Sequence, residues 1–381
     1  MSWAPRNLDR LTRLIREHGR GGASYDPARP PYAVFDWDQT SAFLDCEEVV
    51  FRFVLWNLEL AYTPDELRAI LRDSVNGTDR VLLTPGRYVA LADVNRDILT
   101  AWSYLWPRLA RHDGTPIERL RETPEFADLV TKLAFLYETY ERTPSIGPDY
   151  AYRWILYVLA GRSIEDLRAL CGRAFDAALA APLARATWKG PRELGSRAGP
   201  IDYTFRTGLR VHPEMQDLYA RLPASGIDLY VVTASLTDVV DVYATDPRYG
   251  YGLAKGHVIG CELEVRDTLL RPTYRSDWVL TYGPGKVEAI RRRLGARGDP
   301  ILVAGDGDGD AEMLSELAGT QVSLILNRVM GGRIGSLCRC AVRDDPPGRY
   351  LLQGRDENTG RFLPGSATIL FGEREARVLV S

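Results

Sequence analysis

Short runs of hydrophobic residues recur along the chain, and polar residues follow each run within a few positions. Four of these runs, rich in Val, Ile and Leu, lie at residues 31–35, 227–232, 300–304 and 321–326. Runs of this length, bounded by turn residues, are typical of buried parallel strands. Segments with helical periodicity separate them, at residues 213–222, 236–243, 285–294 and 311–318. The alternation predicts an α/β fold with a doubly wound, Rossmann-like parallel sheet.

The polar residues that follow the strands are the first indication of a functional site. The first strand runs into residues 36–40 (DWDQT), and the second into residues 233–235 (TAS). The third runs into residues 305–310 (GDGDGD), and the fourth into residues 327–328. In doubly wound sheets the active site lies beyond the carboxyl ends of the strands. We therefore expect these four clusters to meet at one edge of the sheet.

A long segment between the first two strands has few strand signals. Within residues 41–205, amphipathic stretches separated by Pro and Gly occupy residues 47–60, 64–71, 124–140 and 164–179. This pattern predicts a helical cap domain at 41–205, inserted into a core made of residues 1–40 and 206–381. Near the C-terminus, residues 351–360 have the composition of a polar loop, and residues 367–371 that of an edge strand.

Composition and charge narrow the class of protein. Of the 381 residues, 26% are charged and 45% are hydrophobic, which is typical of a soluble globular protein. The net charge of −3 provides no global basic field for nucleic acid or an anionic membrane, so we expect neither as a partner. No run approaches the ~18 apolar residues of a membrane span. The N-terminal residues lack a secretory pattern and the five cysteines are widely spread, so the expected location is the cytoplasm.

The pair Asp36 and Asp38 is the first candidate for chemistry. Two carboxylates two positions apart at the end of a strand project into one small loop, where they can hold a divalent cation. A carboxylate is also a competent nucleophile towards phosphorus, and a second carboxyl can protonate the leaving group. The alternative is an ordinary polar turn after a strand.

The acidic run at residues 305–310 is the second candidate. Its alternating glycines allow a sharp turn that brings Asp306 and Asp310 close together, and a Mg²⁺ site would offset their repulsion. A calcium loop or a flexible acidic turn are the alternatives. Lys286, at the start of a predicted helix, is the candidate for a fixed positive charge, although such a lysine is more often a surface residue. Thr233 or Ser235 offers a hydroxyl for phosphate, or alternatively caps a helix.

The order of these motifs resembles that of the haloacid dehalogenase superfamily: D-x-D-x-T, a hydroxyl after a strand, a lysine, and G-D-G-x-x-D. The second aspartate, which the dehalogenases lack, favours a phosphatase, and a cap inserted between the first and second motifs resembles the phosphoserine-phosphatase-like branch. By position, the resemblance implies a nucleophile at Asp36, a general acid and base at Asp38, phosphate binding at Thr233, Ala234 and Ser235, a charge-balancing Lys286, and Mg²⁺ ligands at Asp36, Asp306, Asp310 and the main-chain carbonyl of Asp38. Gln39 departs harmlessly from the pattern, and Asp308 has no assigned role.

The substrate is expected to be a small phosphorylated metabolite. Stretches such as residues 45–48 and 244–251 are similar to bacterial phosphorylcholine phosphatases, so phosphocholine is one candidate ester. Aromatic rings bind quaternary ammonium ions, and carboxylates can assist them. The candidate head-group residues are Asp45, Glu47, Glu48, Trp106 and Trp154, with packing of the cap as the alternative role for the rings. A phosphorylated amino acid or sugar, or a non-catalytic phosphate-binding role, also remains open. The pattern does not indicate an oligomeric state.

Overall fold

The computed structural model describes residues 2–109 and 112–379. Within these residues the α-helices are α1 Pro5–His18, α2 Cys46–Trp56, α3 Pro64–Ile70, α4 Leu91–Leu105, α5 Ile117–Arg121, α6 Pro124–Arg142, α7 Pro148–Leu159, α8 Ile164–Ala180, α9 Pro213–Ala224, α10 Thr237–Thr245, α11 Pro284–Leu294, α12 Ala311–Glu316 and α13 Gly332–Arg343. None of these helices combines the length and the apolarity that a membrane span requires.

The strands of the same residues are β1 Tyr32–Phe35, β2 Ala42–Phe43, β3 Arg80–Thr84, β4 Arg87–Ala90, β5 Ala184–Trp188, β6 Tyr203–Thr207, β7 Arg210–Val211, β8 Asp228–Leu236, β9 Val258–Cys261, β10 Leu263–Arg266, β11 Leu269–Tyr274, β12 Leu302–Gly305, β13 Val322–Leu326, β14 Tyr350–Gln353, β15 Arg355–Asp356, β16 Arg361–Phe362, β17 Thr368–Ile369 and β18 Ala376–Arg377.

Six parallel strands form the central sheet in the order β14-β13-β12-β1-β8-β9. Successive residues of a strand point to opposite faces, and β1 shows both environments. Ala33 and Phe35 share a buried cluster with residues of α1 and α9, whereas Tyr32 and Val34 share another with residues of α11 and α12. Helices therefore cover both faces, and the predicted doubly wound α/β class is confirmed.

The second core strand differs from its prediction in a way that affects the site. β8 continues to Leu236, so Thr233 and Ser235 lie within the strand and not after it. The pairing of β8 with β9 shifts register between Val232 and Leu236. Such an irregularity re-aims side chains locally, and it is common next to active sites.

The segment between β1 and β8 contains α2 to α8 and two antiparallel hairpins, β3–β4 and β5–β6, which the sequence pattern did not predict. β2 and β7, where the chain leaves the core and returns to it, pair with each other. The points at which the chain enters and leaves this segment therefore lie next to each other. The predicted boundary at residue 205 falls inside β6, and the division into core and cap stays a prediction.

The C-terminal region corrects one interpretation of the sequence. Residues 351–353 are not part of a polar loop but belong to β14, the edge strand of the central sheet. Leu351 and Leu352 are buried, and β14 pairs in parallel with β13. The apolar run was too short to stand out beside the polar residues that follow it. Those residues form β15 to β18, a small four-stranded sheet at the same edge.

Candidate active site

A cavity of about 280 Å³ opens at the carboxyl ends of β1, β8 and β12. Parallel strands of one sheet end at one edge, which is why segments far apart in sequence meet there. The sequence-predicted residues that line this cavity are Asp36, Asp38, Asp45, Glu47, Thr233, Ala234, Ser235, Lys286, Asp306 and Asp310. Thus the four polar clusters meet, as their positions in the sequence predict.

Asp36 and Lys286 form the centre of the cavity floor. Lys286 Nζ lies 2.5 Å from Asp36 Oδ1 and 2.6 Å from Asp310 Oδ1, and all three side chains are buried. Burial, followed by the charge of Asp310, raises the pKa of Asp36 well above its usual value. Burial favours the neutral amine of Lys286, but Asp310 and Asp36 outweigh it and raise the pKa of Lys286. One ammonium is therefore shared by two carboxylates.

Asp36, Asp306 and Asp310 form a group that can hold a metal ion. One carboxylate oxygen from each lies within 4.8 Å of those from the other two, and all three residues are buried. Thr40 Oγ1 donates to Asp306 Oδ1 at 2.8 Å and lies 3.1 Å from Asp36 Oδ2. Arg328 Nη1 donates to Asp306 Oδ2 at 2.8 Å. Clustered carboxylate oxygens are the ligands that Mg²⁺ prefers, so the residues fit such an ion.

The loop after β12 has two acidic residues with structural contacts. Asp310 Oδ2 accepts hydrogen bonds from the main-chain N–H groups of Asp306, at 2.9 Å, and Gly307, at 3.2 Å. Asp308 Oδ1 accepts from the N–H of Ile334, at 2.8 Å, in the first turn of α13. A carboxylate at a helix N-terminus satisfies an N–H group that has no partner within the helix. This contact accounts for Asp308, to which no role could be assigned from the sequence pattern.

Asp38 is held apart from the other aspartates by two hydrogen bonds. Ser235 Oγ donates to its Oδ2 at 2.8 Å, and the N–H of Cys46 donates to its Oδ1 at 2.7 Å. Burial raises the pKa of Asp38 to about 6. Its side chain does not belong to the metal-binding group described above, and ligation through its main-chain carbonyl stays a prediction.

The acidic residues at the start of α2 divide between structural contacts and the cavity. Asp45 Oδ1 accepts from Glu48 N at 2.8 Å and caps the helix, while Glu47 Oε1 accepts from Leu236 N at 2.7 Å. Glu48 lies outside this cavity but lines the chamber next to it, and it pairs with Arg52 at 2.7 Å. Burial raises the pKa values of Asp45 and Glu47 well above their usual range. Glu47 thus ties α2 to the end of β8.

A second chamber of about 380 Å³ adjoins the first. Both are lined by Gln39, Asp45, Tyr137, Glu141, Tyr152 and Arg328. Tyr137 and Tyr152 are among the many aromatic residues of the segment 41–205, but the sequence pattern favoured Trp106 and Trp154 over them and did not indicate Glu141. Tyr137 and Glu141 are four residues apart on α6 and so lie on one helix face, a spacing that was available in the sequence. Tyr152 O–H donates to Glu141 Oε1 at 3.3 Å.

The two tryptophans proposed for the head group are not brought to the cavity. Trp154 is 0% exposed and packs edge-on against Phe51 and Tyr140, so its assignment to substrate is wrong. Trp106 packs against Trp102 and His112 and lines neither chamber. Their aromatic clusters form the interior of the helical segment, because large rings gain most from burial.

The cavity carries a large excess of negative charge. Among the described residues that line it, eight have carboxyl groups and two are cationic: Asp36, Asp38, Asp45, Glu47, Glu141, Asp306, Asp308 and Asp310 against Lys286 and Arg328. Carboxylates so close together are not all ionised unless cations join them. The residues of the site are therefore suited to a divalent metal ion.

Residues 128–315 match the family model of the haloacid dehalogenase-like hydrolases. The match includes Lys286, Asp306 and Asp310, and begins after Asp36 and Asp38.

Two similar proteins extend this comparison. The chain is 28% identical over 228 residues to the phosphorylcholine phosphatase of Pseudomonas aeruginosa. The aligned region covers 53% of this chain and 62% of that protein. The similarity thus spans about three fifths of the relative's length. A conserved, functionally unknown protein from Anaerococcus prevotii DSM 20548 has a crystal structure with 28% identity and a TM-score of 0.89, covering 99% of this chain and 98% of that one. The whole architecture, including the C-terminal strands, is therefore similar to that of a solved structure.

Proposed function

We propose that this chain, whose residues 128–315 match the model of the haloacid dehalogenase-like hydrolases, is a phosphatase that hydrolyses a small phosphomonoester through a phosphoaspartyl intermediate on Asp36. The observation that carries the proposal is the position of Asp36. Its carboxylate contacts Lys286 at 2.5 Å and belongs to a buried group with Asp306 and Asp310. Phosphoryl transfer requires a nucleophilic oxygen, a fixed cation and ligands for a hard metal ion at the same place.

In the first half-reaction, a carboxylate oxygen of Asp36 attacks phosphorus and the bond from phosphorus to the ester oxygen breaks. The departing alkoxide takes a proton from the carboxyl group of Asp38, which lines the same cavity. Lys286 offsets charge on the nucleophile and on the phosphoryl oxygens. The hydroxyl of Thr233 and the N–H of Ala234, which line the same cavity, would donate to those oxygens, with Ser235 as the alternative hydroxyl if it releases Asp38.

In the second half-reaction, water attacks the phosphorus of the phosphoaspartate. Asp38, now a carboxylate, takes a proton from that water, and the bond between phosphorus and Asp36 breaks to release inorganic phosphate. Both aspartates return to their starting protonation states, so the cycle is balanced. Dividing hydrolysis into two displacements is the advantage of covalent catalysis.

The proposed cofactor is Mg²⁺, held by Asp36, Asp306 and Asp310 with the main-chain carbonyl of Asp38. When bound it would neutralise phosphoryl charge and let the aspartates ionise together.

The proposed substrate carries a positive charge beyond the phosphate, and phosphocholine is the leading candidate. Tyr137, Tyr152, Asp45 and Glu141 line both chambers, next to the catalytic aspartates. Aromatic faces attract quaternary ammonium ions by ~0.5–2 kcal/mol per ring, and carboxylates add attraction. The similarity to a phosphorylcholine phosphatase supports the same substrate.

Two other functions compete with this one. A phosphorylated amino acid would also present a cation, but its carboxylate would be repelled by Asp45 and Glu141. A non-catalytic phosphate-binding protein would not need the acid at Asp38. We therefore favour an enzyme and a cationic ester.

A phosphate-release screen tests the proposal. Purified protein is assayed with phosphocholine, phosphoserine, a sugar phosphate and an aryl phosphate, each with Mg²⁺ and with EDTA. Mg²⁺-dependent release with preference for phosphocholine is expected. If the protein releases phosphate from none of the esters, the enzyme assignment is wrong. If it releases phosphate from the sugar phosphate but not from phosphocholine, only the proposed substrate is wrong.

A further inference from the structure

The main chain at Gln39 has an unusual conformation within the loop that carries Asp36 and Asp38. Gln39 has a φ of +64°, in the left-handed region that residues with a Cβ seldom adopt. Its own N–H makes one long hydrogen bond, 3.4 Å to the carbonyl of Leu44. A residue in this conformation needs contacts from outside the loop to keep it there.

Arg355 supplies such contacts from the other end of the chain. Its Nη1 donates to the main-chain carbonyl of Gln39 at 2.6 Å, and its Nη2 donates to the side-chain Oε1 of Gln39 at 2.8 Å. The two residues are 316 positions apart. The planar guanidinium therefore donates hydrogen bonds to both the main chain and the side chain of Gln39, a geometry that a lysine cannot reproduce.

The position of Arg355 follows from the sheet. It comes directly after β14, whose carboxyl end lies at the same edge as that of β1. Gly354 passes so close to the main chain of Ala367 that a side chain there would collide with it. The N–H of Arg355 donates to Thr368 Oγ1 at 3.1 Å, and Thr368 Oγ1 donates to the carbonyl of Asn327 at 2.7 Å. The arginine is thus fixed to the sheet before it reaches Gln39.

The charge of Arg355 is balanced without any catalytic residue. Its side chain is fully buried, and Nη2 also donates to Glu357 Oε1 at 2.9 Å. Burial opposes ionisation of Glu357, but Arg355 and then Arg206 outweigh it and lower the pKa of Glu357. The Arg355 guanidinium lies 4.9 Å from the centre of the Phe43 ring. Arg355 lines neither chamber, whereas its hydrogen-bond partner Gln39 lines both, so its contact with the site is made through Gln39.

We propose that Arg355 is a positioning residue that holds the Gln39 backbone, and through it the orientation of Asp38 and Thr40, in the geometry the reaction needs. This inference rests on the proposed function. It also gives the C-terminal residues after β14 a role in the site, and makes Gln39 the partner that Arg355 recognises.

The test compares Arg355→Met with Arg355→Lys and Gln39→Ala. Arg355→Met should lower kcat by ~30- to 1000-fold, the loss expected for a misplaced catalytic group, with less than about a threefold change in KM. Because the acid Asp38 is displaced, the loss should be greater for an alkyl phosphate than for an activated aryl phosphate. Arg355→Lys should recover part of kcat, and Gln39→Ala, which keeps the main-chain contact, should lose less than Arg355→Met.

The matched control is Asn7→Ala. Asn7 is buried, and its Nδ2 donates to the carbonyl of Leu352 at 3.0 Å and to Gln353 Oε1 at 3.2 Å, so it anchors the same strand away from the site. This variant should melt at a lower temperature but keep kcat within about threefold at 25 °C.

Two outcomes would overturn the inference. One is an Arg355→Met enzyme whose kcat matches that of Asn7→Ala with no dependence on the leaving group. The other, which needs no activity, is a crystal structure of Arg355→Met in which residues 37–40 keep the same conformation and a positive φ at Gln39. If the unmodified protein releases no phosphate from any ester, the proposed function fails, and the crystal structure still decides the role of Arg355.

Discussion

The Nζ of Lys286 lies 2.5 Å from the carboxylate of Asp36, although 250 positions separate the two residues in sequence. Both side chains are buried, and the same ammonium contacts Asp310 at 2.6 Å. The proposed nucleophile is therefore held by a cation in the protein itself. This preorganisation is worth more inside a cavity than it would be in water.

Replacing the nucleophile should abolish turnover without unfolding the protein. Asp36→Asn keeps the size of the side chain but cannot form the phosphoaspartate, so phosphate release should fall by at least ~10³-fold. Steady-state release from an aryl phosphate measures this. Asp308→Asn, an equal change in the neighbouring acidic loop, keeps the acceptor for Ile334 N–H and should stay within about threefold of the parent. More than a tenth of parental turnover in Asp36→Asn would contradict the assignment.

Removing the lysine should cost stability as well as activity. Lys286→Met leaves Asp36 and Asp310 facing each other in a buried site, and loss of one partner of a buried pair costs about 3–5 kcal/mol. The cost should be smaller at pH 5 than at pH 8, because protonation relieves the unpaired carboxylates. Urea unfolding in EDTA at both pH values measures the difference. Equal losses at the two pH values would contradict this account.

The acid role of Asp38 predicts a dependence on the leaving group. Asp38→Asn should slow hydrolysis of alkyl phosphates, which need a proton on the departing oxygen, far more than that of activated aryl phosphates. Rates for a series of esters with graded leaving-group pKa measure this. Ser235→Ala, which removes the 2.8 Å hydrogen bond to Asp38, should show the same trend more weakly. An equal loss on all esters would remove Asp38 from the acid role.

Recognition of a cationic head group should depend on the second chamber. Glu141→Gln or Tyr152→Leu should raise KM for phosphocholine by about five- to thirtyfold, which corresponds to ~1–2 kcal/mol. Both variants should spare 3,3-dimethylbutyl phosphate, in which carbon replaces the quaternary nitrogen. Trp154→Phe is the aromatic control, because Trp154 is buried away from the chamber and its loss should affect stability alone. Equal hydrolysis of the two esters by the parent would rule out a cation subsite.

Acid stability should depend on His212. Burial, followed by the charge of Arg355, lowers the pKa of His212 to about 3, while its unperturbed pKa is 6.5. Between these values only the unfolded chain gains the proton, so the free energy of unfolding falls as the pH falls below 6.5. His212→Phe lacks this proton, and its stability relative to the parent should improve by about 2 kcal/mol between pH 7 and pH 5. Urea titrations at both values measure this, and a constant difference would contradict it.

The sequence by itself determined the sheet and the residues that meet at its edge. Strand signals are local, and parallel strands end at one edge of a sheet. The spacing of Asp36, Asp38, Lys286, Asp306 and Asp310 after their strands and helices was therefore enough to predict that they meet. The structure brings all five to one cavity. The two outer strands of the sheet, β9 and β14, were missed, because their short buried runs beside polar residues give too weak a pattern.

Only the tertiary structure decided what surrounds these residues. The helical segment contains many aromatic residues. Helical periodicity shows which of them share a helix face, but it does not show whether that face packs against another helix or lines a cavity. Trp154 faces a neighbouring helix, whereas Tyr137 and Tyr152 face the chamber. The hydrogen bonds from Arg355 to Gln39 join residues that are 316 positions apart in sequence. Such contacts depend on where independent elements pack against one another, and a pattern within one element does not contain that information.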